Sequence, residues 1–395
     1  MEASNVYYTD FRCPVGTSLL EKLRRLCLAA GIRQLDMEGK FVAIKMHFGE
    51  LGNLAFLRPN YAKVVADLCK EQGGMPFLTD CNTLYPGSRK NALEHLTCAQ
   101  LNGFWPMTTG CQVLIADGLR GTDEREIPVA GGEYVKEAKI GAAVAEADII
   151  VSLTHFKGHV NAGFGGALKN IGMGCGSKKG KMEMHSSGTP RISASKCIGC
   201  GMCVDHCAND GVRVVDGTAV IDEGHCVGCG YCIAYCPAGA IMTKWDEAKP
   251  VMNKKIAEYT KAVLDGKPSF HVSLVLDVSP DCDCERHNDV PVIPNVGMFA
   301  SFDPVALDQA CVDAANKQPV IQGSKADPQV KEASASDHMD GARAIPEQAY
   351  SEHAAGDDGH DVFRLVHPDT DWAAGLDHAV KLGIGTREYE LVVVR

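Results

Sequence analysis

Apolar positions in the first part of the chain alternate between two spacings. Stretches 15–31 and 59–72 carry apolar residues three and four positions apart, which predicts amphipathic helices that end near glycines. Short apolar runs at 41–45, 75–79 and 148–153 predict buried strands. Strands that alternate with helices of this length predict a parallel sheet with helices on both faces. The expected fold class is therefore α/β and Rossmann-like.

The same alternation resumes late in the chain. Helices are predicted at 251–265, 304–316 and 371–382, and strands at 272–276 and 389–394. Residues 133–147 are also predicted to be helical. We therefore divide the chain into one α/β domain in two parts, 1–189 and 249–395, around an inserted segment at 190–248. Residues 318–361 are polar and irregular, which predicts low order.

The inserted segment holds one cysteine pattern twice. Two runs follow the spacing C-x-x-C-x-x-C-x-x-x-C, one at 197–207 and one at 226–236. This spacing is typical of an α+β bacterial ferredoxin with two [4Fe–4S] clusters, in which the last cysteine of each run ligates the other cluster. Zinc sites use paired cysteines or Cys/His sets, and disulfides need an oxidising compartment. The predicted ligands are Cys197, Cys200, Cys203 and Cys236 for cluster I, and Cys226, Cys229, Cys232 and Cys207 for cluster II.

Composition narrows the function classes. A net charge of −11 argues against nucleic acid and against an anionic membrane surface as partners. No apolar run reaches the roughly 18 residues that a spanning helix needs. The first residues form neither a basic nor an apolar signal region, so we expect no signal peptide. Eighteen cysteines beside oxygen-sensitive clusters indicate a reducing cytoplasm, and we expect an anaerobic host.

A second informative stretch, 154–185, follows the predicted strand at 148–153. It is rich in glycine and lysine within an acidic protein, and bare backbone amides with lysines bind phosphate or carboxylate. The alternative is a glycine-rich turn with solvated lysines and core histidines. We predict a site for a small anion, a further metal or a nucleotide-like cofactor. Its predicted cofactor-binding residues are Lys157, Gly163, Gly165, Gly166 and Lys169, and its predicted catalytic residues are His159, Lys169, His185 and Cys175.

Several candidate site residues directly follow predicted strands, which predicts where they lie in the fold. His47, the loop 80–85, Asp117 and residues 154–159 follow predicted strands, so we expect them at one rim of the sheet. We also expect Cys175, between two glycines, to be exposed to that loop, the alternative being a small residue packed at a crowded turn. Cys282 and Cys284 follow the strand at 272–276. Two thiols at this spacing can share a metal, and two idle loop cysteines are the alternative.

The whole chain resembles the iron–sulfur proteins of the family called domain of unknown function 362. The residues that carry the resemblance lie at 155–159, 163–174, 180–185, 281–284 and 297–313, together with the doubled cysteine run. The resemblance implies cluster binding and an α/β domain, and it implies no particular reaction.

A shorter stretch is similar to the nickel-pincer lactate racemases. The shared string runs from His159 through Ala162, Gly163 and Phe164 to Lys169. In that family the lysine holds a pyridinium nucleotide through a thioamide, and histidines serve as nickel ligand and acid–base group. The similarity implies that Lys169 contacts a cofactor and that His159 and His185 are metal-ligand or base candidates. Leu168 replaces the family's arginine, and an early Thr-His pair is Asn82-Thr83-Leu84 here, so we expect a shared pocket more than shared chemistry.

Two functions of different classes stay open at this point. In the first, the protein is an oxidoreductase whose clusters pass electrons to a site on the α/β domain, formed by His47, Lys157, His159, Lys169, Cys175, His185 and the loop with Cys282 and Cys284. In the second, it is an electron carrier or a partner in cluster or metal assembly. Both imply a redox partner protein. A pure carrier has no use for His159, Lys169 and His185 at the rim of a sheet, so the first is favoured.

Overall fold

The computed structural model describes residues 2–186, 188–327 and 360–395. Its helices are α1 Leu19–Ala29, α2 Pro59–Lys70, α3 Ala92–Leu101, α4 Pro106–Thr109, α5 Ala142–Glu146, α6 Ala167–Cys175, α7 Lys178–His185, α8 Met202–Asp205, α9 Tyr231–Tyr235, α10 Lys249–Leu264, α11 Pro304–Asn316, α12 Val362–Val366 and α13 Ala373–Lys381. Its strands are β1 Ser4–Thr9, β2 Phe41–Lys45, β3 Met75–Asp80, β4 Gln112–Ile115, β5 Glu124–Pro128, β6 Glu137–Gly141, β7 Ile149–His155, β8 Lys157–His159, β9 Gly163–Gly165, β10 Arg191–Ile192, β11 Val212–Val215, β12 Thr218–Ile221, β13 Ile241–Met242, β14 Ser269–Val275, β15 Gly297–Ser301 and β16 Tyr389–Val393.

One eight-stranded sheet organises the α/β part. Its order is β16-β1-β15-β14-β7-β2-β3-β4. Every neighbouring pair is parallel except the two that β15 makes, because β15 runs antiparallel to both β1 and β14. The predicted α/β class with a mostly parallel sheet is confirmed.

Both faces of this sheet are covered. Along β2, Val42 and Ile44 pack into the core that α1 and α2 build, whereas Ala43 packs into a second core with α5 and α10. Side chains alternate across a strand, so burial of successive residues requires a layer on each side. The strand β7 is buried over its whole length for the same reason.

Capping residues in the sequence mark where two of the helices begin. The Ser18 hydroxyl accepts a hydrogen bond from the Glu21 amide and caps α1. Asp303 caps α11 by accepting from the amides of Val305 and Ala306, and Pro304 occupies the first turn. These caps satisfy amides that have no partner inside the helix.

The predicted helix at 133–147 is wrong. Residues 124–141 form the antiparallel hairpin of β5 and β6, and α5 begins only at Ala142. The Glu258 carboxylate of α10 accepts hydrogen bonds from the amides of Glu133, Tyr134 and Val135. Those amides are held in a turn by a distant acid, which no local helical pattern reveals.

Two strands of the eight-stranded sheet were not predicted. β1 pairs in parallel with the C-terminal β16, and β15 lies between β1 and β14. Tyr7 and Tyr8 of β1 are each half-buried, so this strand lacks the continuous apolar run of a fully buried strand. The polar stretch predicted at 318–361 lies mostly outside the described residues.

Segment 190–248 begins and ends in a paired strand. β10 pairs with β13, which brings the two ends of the segment together, and β11 pairs with β12 in the middle. The division into domains stays a prediction. In the part of the chain that the structure describes, no helix is both long enough and apolar enough to cross a bilayer.

Candidate active site

A cavity of about 570 Å³ opens beyond the carboxyl ends of β3, β2, β7 and β14. His47 follows β2, Asp80 ends β3, His159 follows β7 and Cys282 follows β14. The loop 80–85 also contributes to the wall. Most of the rim predicted from the sequence therefore surrounds one cavity, whereas Asp117 does not line it and instead accepts a hydrogen bond from the Asn82 amide of the loop 80–85. Ligands of open α/β sheets bind in this position.

Basic side chains outnumber acidic ones in the cavity wall. The basic set is Lys45, Arg89, Lys157, Lys169 and Lys181, and the acidic set is Asp80, Asp281 and Glu285. The protein as a whole carries a net charge of −11. A local excess of positive charge in an acidic protein concentrates small anions at this cavity.

One end of the cavity rests on a buried ion network. Lys45 Nζ lies 3.0 Å from an Asp80 carboxylate oxygen and donates to Asn170 at 2.9 Å. Arg89 Nε lies 3.0 Å from a Glu50 carboxylate oxygen. The Tyr85 hydroxyl donates to the carbonyl oxygen of Cys284 at 2.8 Å. The four charged groups pair with one another, so the buried charges are compensated and the wall is fixed.

The opposite side is fixed by Asp283, which is fully buried between His155 and Lys157. Its carboxylate lies 2.8 Å from His155 Nδ1 and 3.4 Å from Lys157 Nζ. His155 Nε2 donates to the carbonyl oxygen of Leu276 at 2.8 Å. Burial opposes ionisation of Asp283, but His155 and Lys157 outweigh it and lower the pKa of this carboxyl. The ionised Asp283 anchors the loop that carries both cysteines.

Three predicted site residues lie close together where this loop approaches β8. One ligand atom each from His159, Cys282 and Cys284 lies within 4.8 Å of the others. Lys169 Nζ donates to Cys282 Sγ at 3.2 Å. A hydrogen bond from Cys284, followed by the charge of Lys169, lowers the pKa of Cys282 well below its usual range despite burial. The same hydrogen bond, together with burial, raises the pKa of Cys284. The arrangement offers a stabilised thiolate beside a thiol, and a spacing at which one metal ion could be shared.

Three histidines in the cavity are held neutral. Burial, aided by nearby cations, lowers the pKa of His47, His159 and His185. The pKa of His185 falls to about 3. His159 Nδ1 accepts hydrogen bonds from the amides of Asn161 and Ala162 at 3.1 and 3.0 Å. A neutral ring with an accepting Nδ1 carries its hydrogen on Nε2, so His159 is a hydrogen-bond donor from that atom.

The expectation that Cys175 is exposed is wrong. Its side chain is completely buried in the core beneath the sheet, and burial raises the pKa of its thiol to about 11. Its carbonyl oxygen accepts from the Cys81 thiol at 3.3 Å. A buried thiol with a raised pKa is a poor nucleophile, and the crowded turn explains the small residue at this position.

The glycines predicted to bind a cofactor pack against protein instead. A Cβ on Gly163 would lie 3.0 Å from Trp372, and one on Gly166 would lie 2.3 Å from the Asp308 carboxylate. Gly165 lies beside the side chain of Lys157. None of the three glycines lines the cavity. Close packing of β8, β9 and α11 requires their missing side chains.

Within the stretch predicted to bind an anion, the backbone amides at the start of α6 already have an acidic partner. The Asp308 carboxylate accepts hydrogen bonds from the amides of Ala167 and Leu168 at 2.6 and 3.0 Å. A carboxylate at the first turn satisfies these amides as an external anion would. Anion binding in the cavity must therefore use lysine and arginine side chains, with Lys157 and Lys169 among them.

The eight cysteines of segment 190–248 separate into the two predicted sets. Cys197, Cys200, Cys203 and Cys236 line one small cavity, and Cys207, Cys226, Cys229 and Cys232 line another. The Sγ atoms of Cys197, Cys207 and Cys236 accept hydrogen bonds from backbone amides at 3.2–3.3 Å. Four converging thiols with amide donors fit a [4Fe–4S] cluster at each place. Cluster binding itself stays a prediction.

Helix α7 touches both regions. Met182 packs in one hydrophobic cluster with Cys203 and Ile233 of the inserted segment. Lys181 and His185 of the same helix line the α/β cavity. Trp245, just after the segment, also lines that cavity and meets the His185 ring edge-on with centroids 4.6 Å apart. One short helix therefore separates the cysteine cavities from the candidate active site.

A family model described as "Domain of unknown function (DUF362)" matches residues 42–313. The chain belongs to this family. No curated protein matches the chain.

Two solved structures show weak similarity. One is the lactate racemase apoprotein from Thermoanaerobacterium thermosaccharolyticum, 15% identical with a TM-score of 0.38 over 80% of this chain and 58% of that one. The other is a protein from Thermotoga maritima, 14% identical with a TM-score of 0.37 over 74% of this chain and 57% of that one. The chain thus spans less than two thirds of either protein, and at these TM-scores neither similarity carries an argument about its site.

Several wall residues were not predicted from the sequence. Lys45 and Arg89 carry ion pairs in the wall, Asp283 lies behind the wall and pairs with Lys157, and Trp245 joins the cavity to the inserted segment. Lys45 gave one signal, because a charged residue ends an otherwise apolar strand. Arg89 gave none, since its partner Glu50 lies on another loop.

Proposed function

We propose that the protein is an iron–sulfur oxidoreductase. It binds one [4Fe–4S] cluster through Cys197, Cys200, Cys203 and Cys236 and a second through Cys207, Cys226, Cys229 and Cys232. Such clusters supply one-electron transfer when bound. The α/β cavity is the place where a small anionic or cofactor-bound substrate is reduced.

The observation that carries the proposal is the contact between the two regions. Met182 on one face of α7 packs with cluster-cavity residues, while His185 on the same helix lines the substrate cavity. Electron transfer needs close approach of donor and acceptor sites, and a single helix between them provides it. A docking surface alone would not need buried charges such as Lys157 and Lys169 around a cavity.

The residues of the cavity have distinct roles in this proposal. Lys157 and Lys169 bind the anionic group of the substrate by charge. His159 carries hydrogen on Nε2 and can donate a hydrogen bond to the substrate, whereas neutral His185 offers a ring lone pair that can accept a proton. Asp283 keeps Lys157 and the cysteine loop in position.

The first test is the metal content and redox behaviour of protein purified without oxygen. Two cubane clusters predict about eight iron atoms per chain. The photoreduced protein is then mixed with fractions of a small-molecule extract, and cluster reoxidation is followed by absorbance. The substrate-bearing fraction reoxidises the wild type, whereas Lys169→Ala and His159→Ala keep their iron and stay reduced.

Two results would contradict the proposal. One is an iron content far below about eight atoms per chain that is the same in wild type and Cys236→Ser, which would argue that the protein binds no such clusters. The other is a full iron content with equal reoxidation of wild type, Lys169→Ala and His159→Ala. That result would show that the cavity takes no part in the reaction and would favour an electron carrier.

A further inference from the structure

The thiols of Cys282 and Cys284 lie close enough to react with one another. Their Sγ atoms belong to a group within 4.8 Å. The amide of Glu285 donates to the carbonyl oxygen of Cys282 at 2.9 Å, which closes a tight turn with Asp283 and Cys284 at its corners. Such turns keep the first and third Cα atoms within the roughly 4.4–6.8 Å that disulfides span.

The turn is held rigidly beside the cavity. The Asp283 carboxylate is fixed by His155, and its carbonyl oxygen accepts from the Glu50 amide at 2.9 Å. Tyr85 binds the carbonyl oxygen of Cys284. Cys282 is buried and Cys284 is half-buried, and both line the cavity wall. A small reactant in the cavity therefore meets both thiols.

The hydrogen bonds around the pair favour thiol chemistry over a shared metal. Lys169 already places a cation 3.2 Å from Cys282 Sγ. The Nδ1 lone pair of His159 is engaged by the amides of Asn161 and Ala162, so a neutral ring is protonated at Nε2. A histidine that ligates a metal needs a free lone pair on the ligating nitrogen. An Nε2 that carries hydrogen can instead donate a hydrogen bond to a reacting sulfur.

We propose that Cys282 and Cys284 are a redox-active pair that cycles between a disulfide and a dithiol. Reduction breaks the S–S bond with two electrons and one proton, leaving Cys282 as a thiolate beside Lys169 and Cys284 as a thiol. The electrons come from two one-electron donors of the iron–sulfur type, so this source rests on the proposed function. In the opposite direction the pair gives two electrons to an anionic two-electron acceptor, the S–S bond re-forms and Cys284 releases its proton.

The test measures the pair directly. Holoprotein purified without oxygen is equilibrated with reduced and oxidised dithiothreitol at stepped ratios, quenched in acid, alkylated and digested with trypsin. The tryptic segment 262–286 contains Cys282 and Cys284 and no other cysteine. We expect this segment to lose both alkyl labels together at one ratio, while the exposed Cys13 stays labelled. In Cys284→Ser, Cys282 stays labelled at every ratio.

A second step separates this inference from the proposed function. The oxidised protein is freed of dithiothreitol and photoreduced, and the labels are counted again. Wild type is expected to regain both labels, and the double variant Cys207→Ser/Cys236→Ser, which lacks one predicted ligand of each cluster, to regain none. A disulfide that forms but is not re-reduced in wild type would support the pair and contradict only electron delivery.

Two outcomes would overturn the inference. One is a segment 262–286 that carries both labels at every ratio. The other is a segment protected by one equivalent of bound metal that Cys282→Ser releases, which would make the group with His159 a metal site.

Discussion

The two cysteine-bearing regions of this protein surround sulfur with different partners. In the inserted segment, the Sγ atoms of Cys197, Cys207 and Cys236 accept from neutral backbone amides. In the α/β cavity, Cys282 Sγ accepts from the ammonium group of Lys169. A backbone amide is neutral and donates a hydrogen bond without transferring a proton. Such donors therefore suit a thiolate that stays bound to a metal. A lysine beside a thiol stabilises the thiolate, and so suits a sulfur that loses its proton or forms a disulfide bond.

The largest expected effect breaks the first region. Cys236→Ser removes one predicted ligand of cluster I, so iron per chain should fall by about half while cluster II is retained. Iron analysis and the spectrum of the reduced protein measure the change. Cys13→Ser, at an exposed cysteine outside both regions, is the matched control and should keep full iron. Loss of cluster II in place of cluster I would show that the ligands are not crossed.

The next largest effect breaks the second region. Asp283→Asn leaves His155 and Lys157 without their buried counter-charge, which should cost about 3–5 kcal/mol of unfolding free energy. Urea unfolding followed by tryptophan fluorescence measures it. Asp289→Asn, on the same loop but exposed, should be neutral. Equal stability of both variants would mean that Asp283 does not anchor the cysteine loop.

A third substitution sharpens the link between the regions. Met182→Ala leaves a cavity where α7 packs against the inserted segment, at a cost of about 2–5 kcal/mol. We expect faster loss of iron to a chelator, with the ion network of the α/β cavity unaffected. Met107→Ala is the control, because Met107 is 90% exposed. An unchanged rate of iron loss would argue against α7 as the support of the inserted segment.

The smallest effect concerns protons. The pKa of His185 is about 3 in the folded protein and about 6.5 in an unfolded chain. Between these values the unfolded chain binds a proton that the folded protein does not, so stability falls as pH decreases through this window. His185→Gln should reduce that slope by up to about 1.4 kcal/mol per pH unit, measured by urea unfolding at pH 7 and pH 5. An unchanged or steeper slope in His185→Gln would contradict the assignment.

Comparison of the two regions also shows where sequence inference succeeds. The two predicted cysteine sets line two separate cavities, and three members of each set lie on one short turn, while their role as cluster ligands stays a prediction. The helices α2, α10, α11 and α13 were predicted for a similar reason, since apolar spacing and caps are local. The rim of the sheet followed from one general rule, that parallel strands end at the same edge.

The failures share a cause as well. The amides at 133–135 were predicted to be helical, but Glu258 binds them from a helix over a hundred residues away. Gly166 was predicted to bind a cofactor, but the amides that follow it are bound by Asp308 from α11. Cys175 was predicted to be exposed, but the core covers it.

The sequence by itself determined the alternation of strands and helices, the family and the grouping of the eight cysteines. These depend on spacing along one segment, where the backbone fixes which side chains are neighbours. The tertiary structure alone decided which charges meet, placing Asp283 between His155 and Lys157, and Lys169 on Cys282. Such pairs join residues far apart in the chain, and their energies depend on burial, which arises only when the sheet and its loops are assembled.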